Sequence, residues 1–327
     1  MPKAVRVGFI GCGGQATGNI YPHLASIREA DLIACCDLQE QLAQRNADRF
    51  KIPNWYTDYN VMLNEHELDA VFVVGQPDMH TKLGLEMLER GYHVFTEKPT
   101  GTTVEDAKHM ADAARASDRN TQVGHMLPHG PASKVAKRVL ASEEFGKLIF
   151  CESKYFVPGP RQPGWAPTLD WTYMLVQAVH PVDWARHMAG EIVSLSCARG
   201  EGENGAVSYV VAAEFASGAV GLINMTSSAP HVVAQMELVG DKGTFISIDN
   251  MIRIRYEGSA WGHPIEHDYG KREAGYFDEV QDFCRCILNG EPTWSTWQDE
   301  YKAFLVCESI CQSIEADGKK VDVQQVS

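Results

Sequence analysis

The sequence has no apolar run long enough for a bilayer-spanning helix, and no apolar signal segment stands before its first strand-like run. It is also poor in positive charge, with 29 Lys and Arg against 43 Asp and Glu and a formal net charge of −14. This balance argues against nucleic acid or an anionic membrane as the main partner. We therefore expect a cytoplasmic protein that acts on a small molecule.

The nine cysteines are odd in number and show no framework of the kind found in small secreted proteins. They are expected to be reduced thiols, as in a cytosolic protein. Of the close pairs near the C-terminus, Cys307 and Cys311 have the spacing to share one helix face. No histidine completes a tetrahedral set with them, so we predict no metal site.

Strand and helix patterns alternate through residues 1–126. The run 69–74 is almost entirely β-branched and aromatic, as expected of a parallel strand that is covered on both faces. Repeated β-α-β units predict a doubly wound parallel sheet, the Rossmann arrangement of a dinucleotide-binding domain. The predicted strands are 4–10, 31–36, 69–74, 93–95 and 122–124, and the predicted helices are 14–29, 38–50, a short one around 61–63, 79–90 and 103–117.

The pattern changes in residues 127–327, which we predict to form a second α/β domain that binds substrate and mediates oligomerisation. Several runs of strand composition joined by hairpin-type turns predict an open, mainly antiparallel sheet with helices on one face. If the other face is apolar, it pairs with a second copy in a homodimer or homotetramer; a polar outer face and a monomer are the alternative. The predicted strands are 148–157, 192–198, 206–215, 220–226, 232–239 and 244–248, and the predicted helices are 131–140, 170–188, 277–288 and 298–314.

A glycine-rich loop follows the first predicted strand. Gly11, Gly13 and Ala16 stand in a G-x-G-x-x-A pattern, and Gly14 and Gln15 complete the loop. The first glycine permits a tight turn, the second lets the backbone approach a pyrophosphate, and the alanine lets helix and strand pack closely. The N-terminus of the next helix offers free N–H groups and a positive dipole end to the phosphates. These five residues are the predicted core of a dinucleotide site.

Asp37 ends the second predicted strand, about twenty residues after the glycine loop, where an acid accepts the ribose hydroxyls of adenosine. Its carboxylate would repel a 2′-phosphate, and no arginine follows it immediately. This favours NAD over NADP. The alternative is an ordinary α/β turn in which Asp37 only caps the following helix.

Several stretches together resemble the glucose-fructose oxidoreductase / inositol dehydrogenase / MocA (Gfo/Idh/MocA) family. They are 69–74 (DAVFVV), 77–80 (PDMH), 91–99 (GYHVFTEKP), 277–283 (FDEVQDF) and 288–290 (LNG). The resemblance implies a Rossmann domain, a second domain with an open sheet, and oxidation or reduction of a sugar, cyclitol or related hydroxyl with NAD(P). It adds Pro77, His80, Glu97 and Lys98 to the expected cofactor site.

Lys98 follows a predicted strand at the edge where open α/β sheets bind ligands. When hydride leaves a carbinol carbon, a nearby ammonium stabilises the developing alkoxide, and a lysine whose pKa is lowered by burial can relay the hydroxyl proton. Glu97 could position or tune this lysine, and Pro99 permits a cis bond. The alternative is a solvent-facing lysine on a loop.

His180 lies in the predicted helix 170–188. The resemblance gives it the acid/base role, but relatives carry an Asp four residues earlier, where this chain has Val176. Proton transfer would then rest on the lysine and His180 alone, or on a group such as Gln177. Asp183, one turn later, could orient the ring or bind a substrate hydroxyl. The alternative is a histidine that only fills the core.

Four further side chains are candidates for contact with substrate. His125 follows the last Rossmann strand, Tyr155 lies in the next strand, and Arg161 and Trp165 lie in a Pro/Gly-rich loop. Loops over such sites select the substrate. Tryptophan suits the apolar face of a sugar ring, and arginine suits a carboxylate or phosphate.

Together these features predict an NAD-dependent oxidoreductase with Lys98 and His180 as catalytic residues. Its substrate would be a secondary hydroxyl or ketone of a sugar, sugar derivative or cyclitol. Two alternatives are open: a glycosidase that oxidises its substrate transiently with bound NAD, and an NAD-binding sensor without catalysis.

Overall fold

The computed structural model describes residues 4–262, 264–270 and 275–326. They form two compact units. The first runs to Met126 and also takes in Tyr276–Tyr301, and the second comprises Leu127–Gly275 and the chain from Lys302 onward. The sequence pattern predicts a second domain over residues 127–327, whereas the structure returns the segment 276–301 to the first unit.

The first unit is built on a six-stranded sheet in which every pairing is parallel, in the order β3-β2-β1-β4-β5-β6. The five predicted strands are present within a few residues. The short β3 was not predicted, because three residues carry too little apolar pattern. The strands are β1 (Val5–Ile10), β2 (Ala30–Cys36), β3 (Asn54–Tyr56), β4 (Ala70–Val73), β5 (His93–Thr96) and β6 (Thr121–Val123).

Five helices connect these strands. The first, α1, begins with a π-helical turn, Ala16–Ile20, continues as Tyr21–Leu24, and ends earlier than the predicted residue 29. The last begins with a capping box: the Thr103 hydroxyl accepts from the N–H of Asp106, and the Asp106 carboxylate accepts from the N–H of Thr103. The others are α2 (Glu40–Phe50), α3 (Tyr59–Glu65), α4 (Pro77–Glu89) and α5 (Val104–Arg115).

The second unit is built on a nine-stranded sheet in the order β14-β13-β12-β11-β7-β10-β9-β8-β15. Among the described residues of this second sheet, only β7 and β10 pair in parallel, so the predicted open, mainly antiparallel sheet is confirmed. The last three strands were not predicted, because they are short or rich in charged residues. The strands are β7 (Leu148–Pro158), β8 (Ile192–Glu201), β9 (Val207–Phe215), β10 (Val220–Thr226), β11 (Ser228–Gly240), β12 (Thr244–Asp249), β13 (Arg253–Glu257), β14 (Ile265–Asp268) and β15 (Val321–Asp322).

The long helix α8 of the second unit contains a π turn. It consists of Leu169–Tyr173, the π turn Met174–Ala178, and Val179–Ala189, and it packs on β7. It is preceded by α6 (Met126–His129) and α7 (Pro131–Leu140), and it is followed much later by α9 (Tyr276–Asn289) and α10 (Trp297–Glu315). None of the helices described is both long and apolar enough to cross a membrane.

Aromatic packing explains why residues 276–301 return to the first unit. Phe72 of β4 stacks on Phe95 of β5 with ring centroids 4.6 Å apart, and Phe283 of α9 meets Phe72 edge-on at 5.5 Å. The side chain of Trp297, at the start of α10, is fully buried in the core on the opposite face of the sheet. Both faces of the parallel sheet are therefore covered, as an all-parallel sheet requires.

Candidate active site

The loop between β1 and α1 is shaped by its glycines. Gly11 has a φ of +109°, and a Cβ there would lie 1.9 Å from the carbonyl oxygen of Val74, so only glycine fits. A Cβ on Gly13 or Gly14 would meet no atom within 4 Å, and both residues are exposed. The buried Ala16 begins α1 directly after them. The loop thus offers open space at a helix N-terminus, which suits a pyrophosphate.

The carboxylate of Asp37 is held beside this loop. Its Oδ2 accepts the N–H of Cys12 at 2.7 Å, and its Oδ1 accepts the N–H of Gln39 at 2.9 Å. A carboxylate has further lone pairs for ribose hydroxyls, but no proton to donate to a phosphate. The N-cap of α2 is Gln39, so Asp37 is not simply the cap of that helix.

Arg45 is a cation at this loop that the sequence patterns did not single out. From the exposed face of α2, its Nη2 donates to the carbonyl oxygen of Cys12 at 2.8 Å and to the hydroxyl of Thr17 at 3.1 Å. It therefore places a guanidinium beside the glycine loop, where an anion would be stabilised. A lone arginine in a polar helix forms no motif that would mark it as part of a binding site in a single sequence.

Gln15, predicted to bind the cofactor, connects the glycine loop to Glu97. Its Nε2 donates to Glu97 Oε1 at 2.7 Å, while its own Oε1 accepts from Asn19 at 2.7 Å. Glu97 is buried directly after β5. The predicted nucleotide loop and the predicted catalytic loop are thus joined by a side-chain hydrogen bond.

Glu97 in turn holds the backbone of Lys98. Its Oε2 accepts the N–H of Lys98 at 3.0 Å. Burial raises the pKa of Glu97, while the Lys98 ammonium and the Gln15 amide oppose that rise. A Cβ on Gly124, which follows β6, would lie 2.9 Å from the Glu97 carboxyl carbon, so a larger residue there would displace this carboxylate.

Lys98 is half-buried at the C-terminal edge of the parallel sheet. Burial lowers its pKa below the usual value for lysine, and the carboxylates of Glu97 and Glu300 act in the opposite sense. The Lys98–Pro99 peptide bond is cis. A half-buried amine whose pKa is lowered by burial differs from the solvent-facing lysine of the alternative interpretation, because it gives up its proton more readily.

His80 ties together the loops after β4 and β5. Its Nε2 accepts the N–H of Gly75 at 3.0 Å, so its Nδ1 carries the proton and donates to the carbonyl oxygen of Pro99 at 2.8 Å. Burial lowers the pKa of His80 to about 4. Because backbone groups engage both ring nitrogens, His80 supports the site rather than offering a free nitrogen to a ligand. Pro77, also predicted for the cofactor, is the buried first residue of α4.

His125, predicted to contact substrate, is paired with a glutamate from α10. Its Nε2 lies 2.5 Å from Glu300 Oε2, and the exposed fractions of the two side chains are 1 % and 0 %. The structure therefore places this imidazole inside the first unit. Glu300 is 175 positions away in the chain, and no sequence signal connects the two.

In the second unit, α8 and β7 bring His180 and Tyr155 together. His180 follows the π turn, and its ring centroid lies 5.5 Å from that of Tyr155. Both side chains are buried, and burial raises the pKa of the Tyr155 phenol. Val176 and Gln177 are half-buried within the π turn. The proposed base therefore has an aromatic neighbour, and the residue four positions before it, Val176, carries no carboxylate.

Asp183 faces a cation on its own helix. Its Oδ1 lies 3.8 Å from Arg186 Nη1, and Arg186 also binds Glu191 at 2.9 Å. The two loop candidates lie at the surface: Arg161 donates to Asn204 at 3.1 Å, and Trp165 is 41 % exposed. Within this unit, Tyr155 and His180 meet, whereas Arg161 and Trp165 remain on the exposed loop.

The structure describes all nine cysteines, and no disulfide joins any two of them. Among residues 4–262, 264–270 and 275–326, no group of three or more His, Cys, Asp or Glu side chains is arranged to hold a metal ion.

Comparison with protein families identifies the two halves of the chain. Residues 5–125 match the model of an oxidoreductase family with an NAD-binding Rossmann fold, Gfo/Idh/MocA, and residues 134–246 match the C-terminal domain of the same family. The chain belongs to the Gfo/Idh/MocA oxidoreductase family. Its dinucleotide is NAD, and the glycine loop, Asp37 and Lys98 all lie within the matched NAD-binding domain.

Two curated members of the Gfo/Idh/MocA family are similar over nearly the whole chain. Inositol 2-dehydrogenase 2 of Saccharopolyspora erythraea is 26 % identical over 98 % of this chain and 96 % of its own length. Myo-inositol 2-dehydrogenase of Thermotoga maritima is 25 % identical over 98 % of this chain and 99 % of its own. Among solved structures, a dehydrogenase from Chromobacterium violaceum is 25 % identical with a TM-score of 0.88, covering 97 % of both chains.

Proposed function

We propose that this protein is an NAD-dependent dehydrogenase that transfers hydride between nicotinamide and a secondary hydroxyl or ketone of a sugar, sugar derivative or cyclitol. The observation that carries the proposal is Lys98, half-buried and fixed by Glu97 at the edge of an NAD-binding sheet. The two inositol dehydrogenases to which the chain is similar support a cyclitol or sugar as substrate class.

The residues of the first unit fit NAD. Gly11 and Gly13 give the tight loop and open space for the pyrophosphate, Ala16 begins the helix behind it, and Asp37 supplies acceptors for the ribose hydroxyls. When bound, NAD accepts or supplies the hydride. The free carboxylate of Asp37 favours NAD over NADP, because it would repel a 2′-phosphate.

Lys98 is the proposed group at the substrate oxygen. As an ammonium it stabilises negative charge on that oxygen, and as an amine with a lowered pKa it takes or returns the hydroxyl proton. Glu97 positions the lysine through its backbone N–H. His80 supports the same loop by bonding Pro99.

His180 is the proposed acid/base group of the second unit, next to Tyr155. Because position 176 is a valine, no carboxylate stands four residues before His180 on its helix, and we assign proton transfer to Lys98 and His180. We keep Tyr155, Gln177, Asp183, Arg161 and Trp165 as proposed substrate contacts. We do not keep His125 among these contacts, because its Nε2 is engaged by the buried Glu300.

The test is turnover of purified protein with NAD and a panel of inositols and sugars, followed by NADH absorbance, with the matching ketones and NADH for the reverse reaction. We expect turnover with at least one member, and Lys98→Met should abolish it while NADH still binds, as measured by fluorescence titration. Release of a leaving group from a glycoside without net NADH would instead indicate the glycosidase. Full activity in Lys98→Met would refute the role of the lysine.

We also propose a homodimer or homotetramer that pairs through the nine-stranded sheet. On one face of this sheet, Val220, Phe150, Val239 and Phe245 are neighbours across four adjacent strands, and Val220 is 52 % exposed. An apolar row of this kind favours association with a second copy. Sedimentation should give a multiple of 36.2 kDa, and Val220→Glu should shift it toward the monomer. We also propose a cytoplasmic location, which is supported by nine cysteines that form no disulfide with one another.

A further inference from the structure

The carbonyl oxygen of Cys12, in the middle of the glycine loop, accepts hydrogen bonds from side chains on two helices. Arg45 Nη2, on α2, donates to it at 2.8 Å, and the hydroxyl of Thr17, on α1, donates to it at 3.1 Å. The N–H of the same residue donates to Asp37 Oδ2 at 2.7 Å. Both backbone polar groups of the buried Cys12 are therefore held in place by the protein itself.

Arg45 reaches this carbonyl with a side chain that is itself fixed. Its Nε donates to Oδ1 of the buried Asn46 at 3.3 Å, and its Nη2 also donates to the Thr17 hydroxyl at 3.1 Å. Thr17 accepts a further bond from Asn46 Nδ2 at 3.0 Å. A hydroxyl has two acceptor sites and one proton, so the proton of Thr17 is left for the Cys12 carbonyl. Arg45 is thus part of a connected network, although it lies on the exposed face of α2.

The fixed carbonyl determines where the next N–H group points. The Cys12–Gly13 peptide bond is trans, so the Gly13 N–H points in the direction opposite to the Cys12 carbonyl. Because that carbonyl is turned toward Arg45 and Thr17, the N–H faces the side away from both. Gly13 is exposed, a Cβ on it would meet no atom within 4 Å, and no residue that the structure describes accepts its N–H. A backbone donor is therefore aimed into open space.

We propose that Arg45 is a positioning residue for the dinucleotide: together with Thr17 it holds the Cys12 carbonyl so that the Gly13 N–H is aimed at the pyrophosphate. A donor that is oriented in advance binds a phosphate oxygen without the cost of ordering the loop first. The inference rests on the proposed function, because it assumes that the glycine loop takes the pyrophosphate of NAD. Binding can nevertheless be measured without any substrate.

The first measurement is the dissociation constant of ADP-ribose, which carries the pyrophosphate without the nicotinamide, by calorimetry on the whole chain. Arg45→Met keeps an unbranched side chain but removes every donor, so we expect the affinity to fall about tenfold, as for the loss of one charged hydrogen bond. The matched control is Arg49→Met, the same change one turn later on α2. Arg49 is exposed and lies over the ring of Phe50, so this variant should bind as the wild type does.

The second measurement follows the Gly13 amide itself and separates positioning from a direct ion pair. In protein labelled with ¹⁵N-glycine, this resonance is identified by its loss in Gly13→Ala, and a hydrogen bond to a phosphate oxygen moves the amide proton downfield. At saturation with ADP-ribose we expect the full shift in the wild type and in Arg49→Met, and a smaller shift in Arg45→Met. A full shift in Arg45→Met, with a loss of affinity that disappears at high salt, would mean that the guanidinium contacts the phosphate directly, and the positioning role would be overturned.

Thr17 provides a test from the other helix that leaves the charge unchanged. Thr17→Val keeps the shape of the side chain but removes the donor to the Cys12 carbonyl, and ADP-ribose should bind roughly fivefold more weakly. Thr17→Ser keeps the hydroxyl and should restore most of the affinity. A folded Arg45→Met protein with the wild-type dissociation constant would overturn the proposal. If Arg45→Met does not fold, equal constants for the two Thr17 variants would overturn it.

The same measurements separate this inference from the proposed function. Weaker ADP-ribose binding and a smaller Gly13 shift in Arg45→Met, in a protein that oxidises no member of the substrate panel, would uphold the positioning role and reject the dehydrogenase. Turnover in a protein whose ADP-ribose binding is indifferent to Arg45→Met would uphold the dehydrogenase and reject the positioning role.

Discussion

The amide of Gln15 donates to the buried carboxylate of Glu97 at 2.7 Å and so joins the glycine loop to the loop that carries Lys98. One side chain, that of Glu97, therefore links the proposed nucleotide loop to the backbone of the proposed catalytic lysine. Glu97 meets Gln15 on one oxygen and the Lys98 backbone on the other, so a change in Gln15 reaches Lys98 without touching it.

Removing that connection should lower the rate more than the cofactor affinity. Gln15→Leu leaves one oxygen of a buried carboxylate without its donor, at a cost of about 1–3 kcal/mol. We expect kcat to fall roughly tenfold or more, since about 1.4 kcal/mol corresponds to tenfold. Asn19→Ala is the matched control, because it removes only the bond to the other end of the Gln15 amide. Equal rates for Gln15→Leu and wild type would contradict the coupling.

Asp37 should decide the choice between NAD and NADP. Asp37→Ser removes the carboxylate that accepts the N–H groups of Cys12 and Gln39 and that would repel a 2′-phosphate. We expect NAD to bind roughly tenfold more weakly and NADP more tightly, both read from dissociation constants. Glu40→Gln removes an exposed acid at the start of α2 and serves as the control. An unchanged ratio of the dissociation constants for NAD and NADP would show that Asp37 does not bind the adenosine ribose.

The local parts of this architecture were predictable because each rests on a short-range constraint. Gly11 must adopt a positive φ, Gly91 must end a helix, and Thr103 must cap the next one, and all three are visible within a few residues of sequence. The edge strand β14 and its neighbour β13 were not predicted, because charged side chains interrupt their apolar pattern.

Contacts between residues that are far apart in the chain could not be predicted in the same way. The return of residues 276–301 to the first unit depends on the packing of Phe283 against Phe72, which lies more than two hundred residues earlier in the chain. The pairing of His125 with Glu300 depends on that same return. A single sequence contains no periodicity that connects such positions, so the supporting charges of the site emerged only from the structure.

His80 should make the protein less stable in mild acid. Its pKa is lowered to about 4 in the folded state, against about 6.5 in an unfolded chain, so the unfolded state binds more protons between these values. The neutral His80 ring therefore contributes fully to the free energy of unfolding above about pH 6.5. This contribution is lost as the pH falls toward 4, and the total loss is about 3 kcal/mol. Urea unfolding of wild type and His80→Gln at pH 7 and pH 5 measures this, and the variant should lose less free energy of unfolding. The same loss in both proteins would exclude His80 as a source of acid sensitivity.

Two alanine substitutions in the glycine loop should separate folding from cofactor binding. Gly11→Ala forces a Cβ to within 1.9 Å of the Val74 carbonyl oxygen at a positive φ, so we expect a loss of stability of more than about 1 kcal/mol. Gly13→Ala meets no protein atom within 4 Å, so its thermal unfolding should match that of the wild type. Its Cβ instead occupies the space left for the pyrophosphate, and NADH affinity should fall at least tenfold in a fluorescence titration. A Gly13→Ala protein that binds NADH normally would mean that the pyrophosphate does not approach this backbone, and the cofactor would then have to be placed elsewhere on the sheet edge.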